Sequence, residues 1–160
     1  MNARSTQIRR AVPADAERLT SLIHASSAYH GAYAPIIDGY RLSGAYVALH
    51  PTYLAVDAED GLLGFYSLIV DPATLEKHGF TLPELNLVFV ADALQGQGIG
   101  RLLIEHLLDF GRQHGLKEIH VVSNPPAERF YLSVGAEKTG TVPPTPPRVT
   151  WERPELLFRL

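Results

Sequence analysis

"ELNLVFVADALQGQGIGRLL" (Glu84–Leu103) passes from an apolar run into three alternate glycines and then into leucines. Leu85, Leu87, Val88, Phe89 and Val90 form a short apolar segment of the kind found in a central strand. After the glycines, Ile99, Leu102, Leu103, His106, Leu107 and Phe110 recur at helical spacing until Gly115. Glycine is the poorest ordinary residue for a helix interior and gives a strand nothing to pack. Three of them between a strand and a helix therefore mark a place where backbone comes close to something.

A helix opening carries unpaired N–H groups and about half a positive charge, so its natural guest is an anion such as a phosphate. Two well-known phosphate loops do not fit. A dinucleotide fingerprint counted from Gly96 would place its third glycine on Arg101, and the Walker pattern requires G-K-[ST] where this chain has Gly100-Arg101-Leu102. What fits is Q-x-x-G-x-G, read as Gln95-Gly96-Gln97-Gly98-Ile99-Gly100.

Outward from this stretch the chain reads as mixed α/β. "STQIRRAV" is a strand, and "PADAERLTSLIHAS" is a helix with Pro13 near its first turn and Leu19, Leu22 and Ile23 on one face. Between Ala28 and His50 the periodicity blurs, with Tyr29, Tyr33, Tyr40 and Tyr46 interleaved with glycines, as in short helices or a long functional loop. "TYLAV" and "LLGFYSLIV" flank Asp60-Gly61 as a hairpin. "KEIHVV" is a strand, "PPAERFYLSV" a short helix closed by Gly135, "AEKTG" a strand start, "VPPTPPR" an extended connection and "ELLFRL" a last strand. The expected order is β-α-(irregular)-β-β-β-α-β-α-β-β, with no internal repeat.

With 160 residues, 46% of them hydrophobic and 19% charged, the chain is expected to form one domain over residues 1–160. A net charge of -3 gives no general attraction to nucleic acid or to an anionic membrane, so any phosphate must be held locally. With no cysteine there is no disulfide, thiolate zinc site or cysteine nucleophile. The start "MNARSTQIRRAV" has no apolar leader core and no run approaches the roughly 18 residues of a membrane span, so a cytoplasmic location is expected. The seven histidines include no H-E-x-x-H or comparable cluster, so no metal is expected. His24 and His106 suit helix surfaces or core packing, while His30 and His50 are candidates to assist a base.

On the Gln95–Gly100 motif and its surroundings the sequence resembles the GNAT superfamily of acyl-CoA-dependent N-acyltransferases. "LNLVFVADALQGQGIGRLL" looks like that family's fourth strand, loop and third helix, and "SNPPAERFYLSVGAEKTG" like its fifth-strand exit, fourth helix and sixth strand. The resemblance covers about residues 6 to 141 and is sharpest from Glu84 to Gly140. It implies a central, mostly antiparallel sheet splayed between its fourth and fifth strands and flanked by helices. It also implies acetyl-CoA as co-substrate, lying in the V-shaped opening with its amides in place of a missing strand partner.

The resemblance implies a site residue by residue. Gln95, Gly96, Gln97, Gly98, Ile99 and Gly100 would hold the coenzyme's pyrophosphate, while Arg101 either contacts a phosphate or coats the helix. Backbone of Val88, Phe89 and Val90 would meet the thioester and pantetheine arm, where charge developing on the thioester oxygen needs a pre-aimed donor. Asn124 either contacts that arm or caps a helix behind Pro125. A primary alkyl amine, with a pKa of about 10.4, is mostly protonated near neutrality, so a base or water relay is needed. Glu84 matches the family's acid for this role; read by itself it is equally a solvated strand-end carboxylate, and a bulge that the family carries in this strand leaves its facing open. Tyr131 matches the family's fourth-helix tyrosine, whose phenol would hydrogen-bond the departing thiolate; the other reading is a core aromatic beside Phe130.

The expected reaction is acetyl transfer from acetyl-CoA to a primary amine of a small molecule by direct attack in a ternary complex. The alternatives are acetylation of a protein N-terminus or lysine, and a non-catalytic acyl-CoA-binding regulatory module. The four tyrosines and Asp38 suit an acceptor with an apolar or aromatic part and a cation, with Trp151 as a wall or a packing residue. A homodimer is a common arrangement among relatives.

Overall fold

Asp57 turns the chain back on itself: its Oδ1 accepts the amides of Glu59 and Gly61, and Asp60 sits at φ 61°. The flanking segments, β2 (Thr52–Val56) and β3 (Leu62–Ile69), therefore pair antiparallel as the expected hairpin. The computed structural model describes residues 5–160. Residues 1–4, part of the start read for a leader and of the 1–160 span, lie outside the described residues.

Around the hairpin, β1 (Gln7–Arg10), β4 (Glu84–Val90), β5 (Glu118–Val122), β6 (Glu137–Val142) and β7 (Arg153–Arg159) complete a sheet in the order β1-β2-β3-β4-β5-β7-β6. Every neighbouring pair is antiparallel except β4 and β5, which run parallel. Among the described residues five α-helices cover it: α1 (Ala16–Ala25), α2 (Gly44–Leu49), α3 (Pro72–His78), α4 (Ile99–Gln113) and α5 (Glu128–Ser133). Among the described residues no helix is long and apolar enough to cross a membrane.

Strand alternation sends successive side chains to opposite faces, which yields two cores. Leu54 and Phe65 join Leu19 and Ile23 of α1 on one face, whereas Ala55 and Tyr66 join Leu103, Ile104 and Leu107 of α4 on the other. Phe65, Leu54, Leu19 and Leu107 are all fully buried, each contributing roughly 1.5–3 kcal/mol. At the start of α1, Asp15 accepts hydrogen bonds from Arg9 and Arg18, and both arginines also pair with Asp60. That network ties β1, α1 and the hairpin turn together.

The expected element order lacks one helix, α3, while the segment read as short helices or a long loop contains α2. α2 is capped by Ser43 Oγ, which accepts the Tyr46 amide. α3 follows a conventional set of signals: Asp71 caps the Thr74 amide, Pro72 opens the helix and Gly79 closes it at φ 78°. The helices expected as third and fourth are thus α4 and α5. The final strand also starts earlier than "ELLFRL", at Arg153, and the first is shorter than "STQIRRAV".

Candidate active site

Among the described residues, β4 and β5 are in register at Glu84 and His120 alone, supported by the His120 amide donating to Pro83 O at 2.8 Å. Beyond that point the parallel strands separate, and the edge of β4 from Leu85 to Val90 has no strand partner on this side. The opening leads into a cavity of about 620 Å³ whose walls include Glu84, Val88, Phe89, Val90, Asn124 and Tyr131. Gln95 also lines it. Thus both candidate catalytic residues and five of the candidate coenzyme contacts share one space.

A bulge fixes which way Glu84 faces. Ser67 pairs with Leu87 and Leu68 with Leu85, so Asn86 is the extra residue. Leu85 packs in the α4-side core with Val88 and Val90, while Leu87 and Phe89 pack on the α1 side. The alternation reverses at Asn86 and turns Glu84 to the α1 face. Asn86 Nδ2 donates to Tyr46 Oη at 2.7 Å, and Tyr46 Oη is 2.7 Å from Ser67 Oγ, so α2 holds the bulge. Burial raises the Tyr46 phenol well above its ordinary pKa, keeping it protonated.

Glu84 is 7% exposed, and His78, on the last turn of α3, places Nδ1 2.7 Å from its Oε1. Oε2 has no protein partner among the described residues. Sequence reading missed His78 because α3 was not expected; the Asp71-Pro72 cap and Gly79, five residues before Glu84, were the available signal. His50 and His30, the histidines named as helpers, do not line the cavity. His50 is buried edge-on against Tyr46, its pKa lowered by burial, and His30 Nε2 lies 3.1 Å from His24 O.

Tyr131 packs edge-on between Phe130 and Phe158 yet lines the cavity. Burial, then the neighbouring Tyr29, raises its phenol well above the ordinary value, so it remains a donor at all neutral pH. Asn124 stands at the N-cap of the turn that leads into α5, but its side chain does not cap: no amide bonds it, and its Oδ1 instead accepts Trp151 Nε1 at 3.1 Å.

The three glycines have different reasons. Gly96 and Gly98 sit at φ 81° and 85° with open space where a Cβ would be, so conformation selects them. A Cβ on Gly100 would lie 3.0 Å from Phe130, so close packing of α4 on α5 selects the third. Gly98 begins α4 without a side-chain cap, and the amides of Gln97, Gly98, Ile99, Gly100 and Arg101 have no backbone acceptor among the described residues. The Ile99 side chain is buried, leaving only its amide to offer. Those bare donors at a helix opening match what a diphosphate requires. The Arg101 guanidinium instead donates to Ser133 O at 3.3 Å, at the end of α5.

On the acceptor side Tyr29, Tyr40 and Phe80 line the cavity. Tyr33 and Trp151 pack on one another at 4.9 Å and do not line it. Asp38 is exposed and is not part of the lining, although Ile37 and Tyr40 on either side of it are. Among the described residues no group of three or more His, Cys, Asp or Glu could hold a metal ion.

The model of the Acetyltransferase (GNAT) family matches residues 19–136. No curated protein matches the chain in sequence. Among solved structures, an acetyltransferase assigned to the GNAT family from Desulfovibrio desulfuricans is 20% identical, with 96% of this chain and 98% of that one covered at TM-score 0.73. PaiA N-acetyltransferase from Thermoplasma acidophilum in complex with coenzyme A is 17% identical over 98% and 99%, at TM-score 0.72. A spermidine N-acetyltransferase chimera of Vibrio cholerae SpeG and hSSAT is 16% identical over 97% and 95%, at TM-score 0.70. These likenesses establish the shared fold.

Proposed function

The chain belongs to the acetyltransferase (GNAT) family, and from that membership we propose that it moves an acetyl group from acetyl-CoA to the primary amine of a small molecule by direct attack in a ternary complex. The observation that carries this reading is the buried Glu84, turned by the Asn86 bulge into the cavity that Tyr131 also lines. We take residues 1–160 as one such domain working in a cytoplasmic setting.

The bare amides from Gln97 to Arg101 fit the coenzyme's diphosphate, and the free edge of Val88, Phe89 and Val90 fits its pantetheine arm. When bound, acetyl-CoA supplies an acetyl thioester open to attack by an amine. Glu84 takes the amine's proton on Oε2, because Oε1 is already held by His78. Amides of the β4 edge stabilise charge gathering on the thioester oxygen as the new N–C bond forms. Tyr131, kept protonated by burial, donates a hydrogen bond to the sulfur as the C–S bond breaks.

Walls formed by Tyr29, Tyr40 and Phe80 suit a small acceptor better than a protein chain, which needs an open groove. That a spermidine N-acetyltransferase shares the fold is a precedent for a small amine. Incubation with acetyl-CoA and a panel of polyamines, amino acids, aminoglycosides and aryl amines should release free CoA with at least one class. Silence across all of them contradicts the reading.

A further inference from the structure

Arg153, the first residue of β7, lines the same cavity as Glu84. Its Nε is buried without a hydrogen-bond partner, and among the described residues its guanidinium makes no ion pair or side-chain hydrogen bond. Arg9 and Arg18, by contrast, are both held by Asp15 and Asp60. A guanidinium does not give up its proton, so partial burial leaves a permanent cation without a counter-charge.

Strand register places Arg153 on the acceptor face. Glu84 is in register with His120, His120 with Leu157, and Val122 with Glu155. Alternate residues of β7 share a face, so Arg153 lies with Glu155 and Leu157 on the side to which Glu84 points. Arg153 stands four residues along the strand from the row of Glu84, about 13 Å at 3.3 Å per residue, and two strand spacings, about 10 Å, across β5, a separation of about 16 Å of which the two long side chains span part. The carboxylates on this wall are already engaged: Glu84 by His78 and Glu155 by His120 Nε2 at 3.0 Å. The bare amides fit for a diphosphate open α4, which packs on the opposite face. Arg153 is therefore unclaimed by the coenzyme's phosphates.

We infer that Arg153 binds a carboxylate of the acceptor, which makes the acceptor class an amino acid whose amine meets Glu84 and whose carboxylate meets the guanidinium. This inference rests on the transferase reading above. Tyr40 and Phe80 in the same wall supply apolar surface for the remainder of such a molecule.

The test compares amino acids with the amines left when their carboxylates are removed, in wild type, Arg153→Gln and Arg153→Lys. Free CoA release is measured for each, together with calorimetric binding to CoA-saturated protein. The wild type should prefer the amino acid. The ratio of the two kcat/KM values should fall roughly 10- to 100-fold in Arg153→Gln, chiefly through KM, with partial recovery in Arg153→Lys. An unchanged ratio, or a wild type that prefers the decarboxylated amine, overturns the inference while leaving the transferase reading standing. So does an Arg153-dependent preference for dicarboxylic acyl-CoA donors, which would give the guanidinium to the acyl group. If nothing is acetylated but the amino acid binds and Arg153→Gln weakens it, the carboxylate site stands and the transferase reading fails. Absence of both turnover and Arg153-dependent binding overturns both.

Discussion

His78 Nδ1 lies 2.7 Å from Glu84 Oε1, joining the last turn of α3 to the first residue of β4 and orienting a carboxylate that is 7% exposed. A general base held in this way commonly contributes about 10²–10⁴-fold. Glu84→Gln should lower kcat near pH 7 by that order, and the deficit should shrink as pH rises and the acceptor amine loses its own proton. A pH–rate profile of both proteins checks this; equal kcat values at pH 7 would remove Glu84 from the mechanism.

Tyr131→Phe should reduce kcat at least tenfold while the Kd for CoA changes by less than about threefold, if the phenol has the proposed role toward the departing sulfur. Because burial raises Tyr131, the wild-type profile should show no basic limb from this group below about pH 10. An unaltered kcat in the variant would refute the role.

Gly100→Ala brings a methyl to 3.0 Å from Phe130, and overpacking of this kind costs roughly 1–3 kcal/mol. The expected result is a Tm lowered by several degrees with CoA affinity largely retained. A large loss of affinity at unchanged Tm would mean that the third glycine serves the ligand instead of the α4–α5 contact.

Burial alone would raise the Asp15 carboxyl, but hydrogen bonds from Arg9, the Val12 amide and Arg18 outweigh it and hold the pKa at about 2, below the ordinary 3.8. A depressed carboxyl stabilises the fold fully above its unfolded pKa and loses that contribution as pH falls through the folded one. Asp15→Asn should therefore cost roughly 2 kcal/mol at pH 7, with the gap closing toward pH 2. Urea unfolding at pH 7 and pH 2.5 measures it; an equal gap at both contradicts the ion network.

Local signals carried much of this architecture. The apolar run before Gly96 and the helical spacing after Gly98 are nearest-neighbour patterns, so β4, the loop and α4 were legible. Glu84 was identifiable but its direction was not, because the Asn86 bulge that reverses β4 depends on Tyr46, 40 residues away. Asn124 invited a cap reading that Trp151 defeats from 27 residues downstream. Arg153 carried no sequence signal at all: what distinguishes it is that, among the described residues, no carboxylate pairs with it, a property of the folded sheet. α3 is signalled by Asp71, Pro72 and Gly79, but its seven residues are too few to display helical periodicity.

Isothermal titration of the purified protein with acetyl-CoA and CoA asks whether the amides at the opening of α4 bind the coenzyme's diphosphate. Binding should be saturable at one site per chain and abolished or weakened at least tenfold by Gly98→Val in protein that remains folded. Absence of heat from folded wild type, or a Gly98→Val variant that binds as tightly, would contradict that role of the amides.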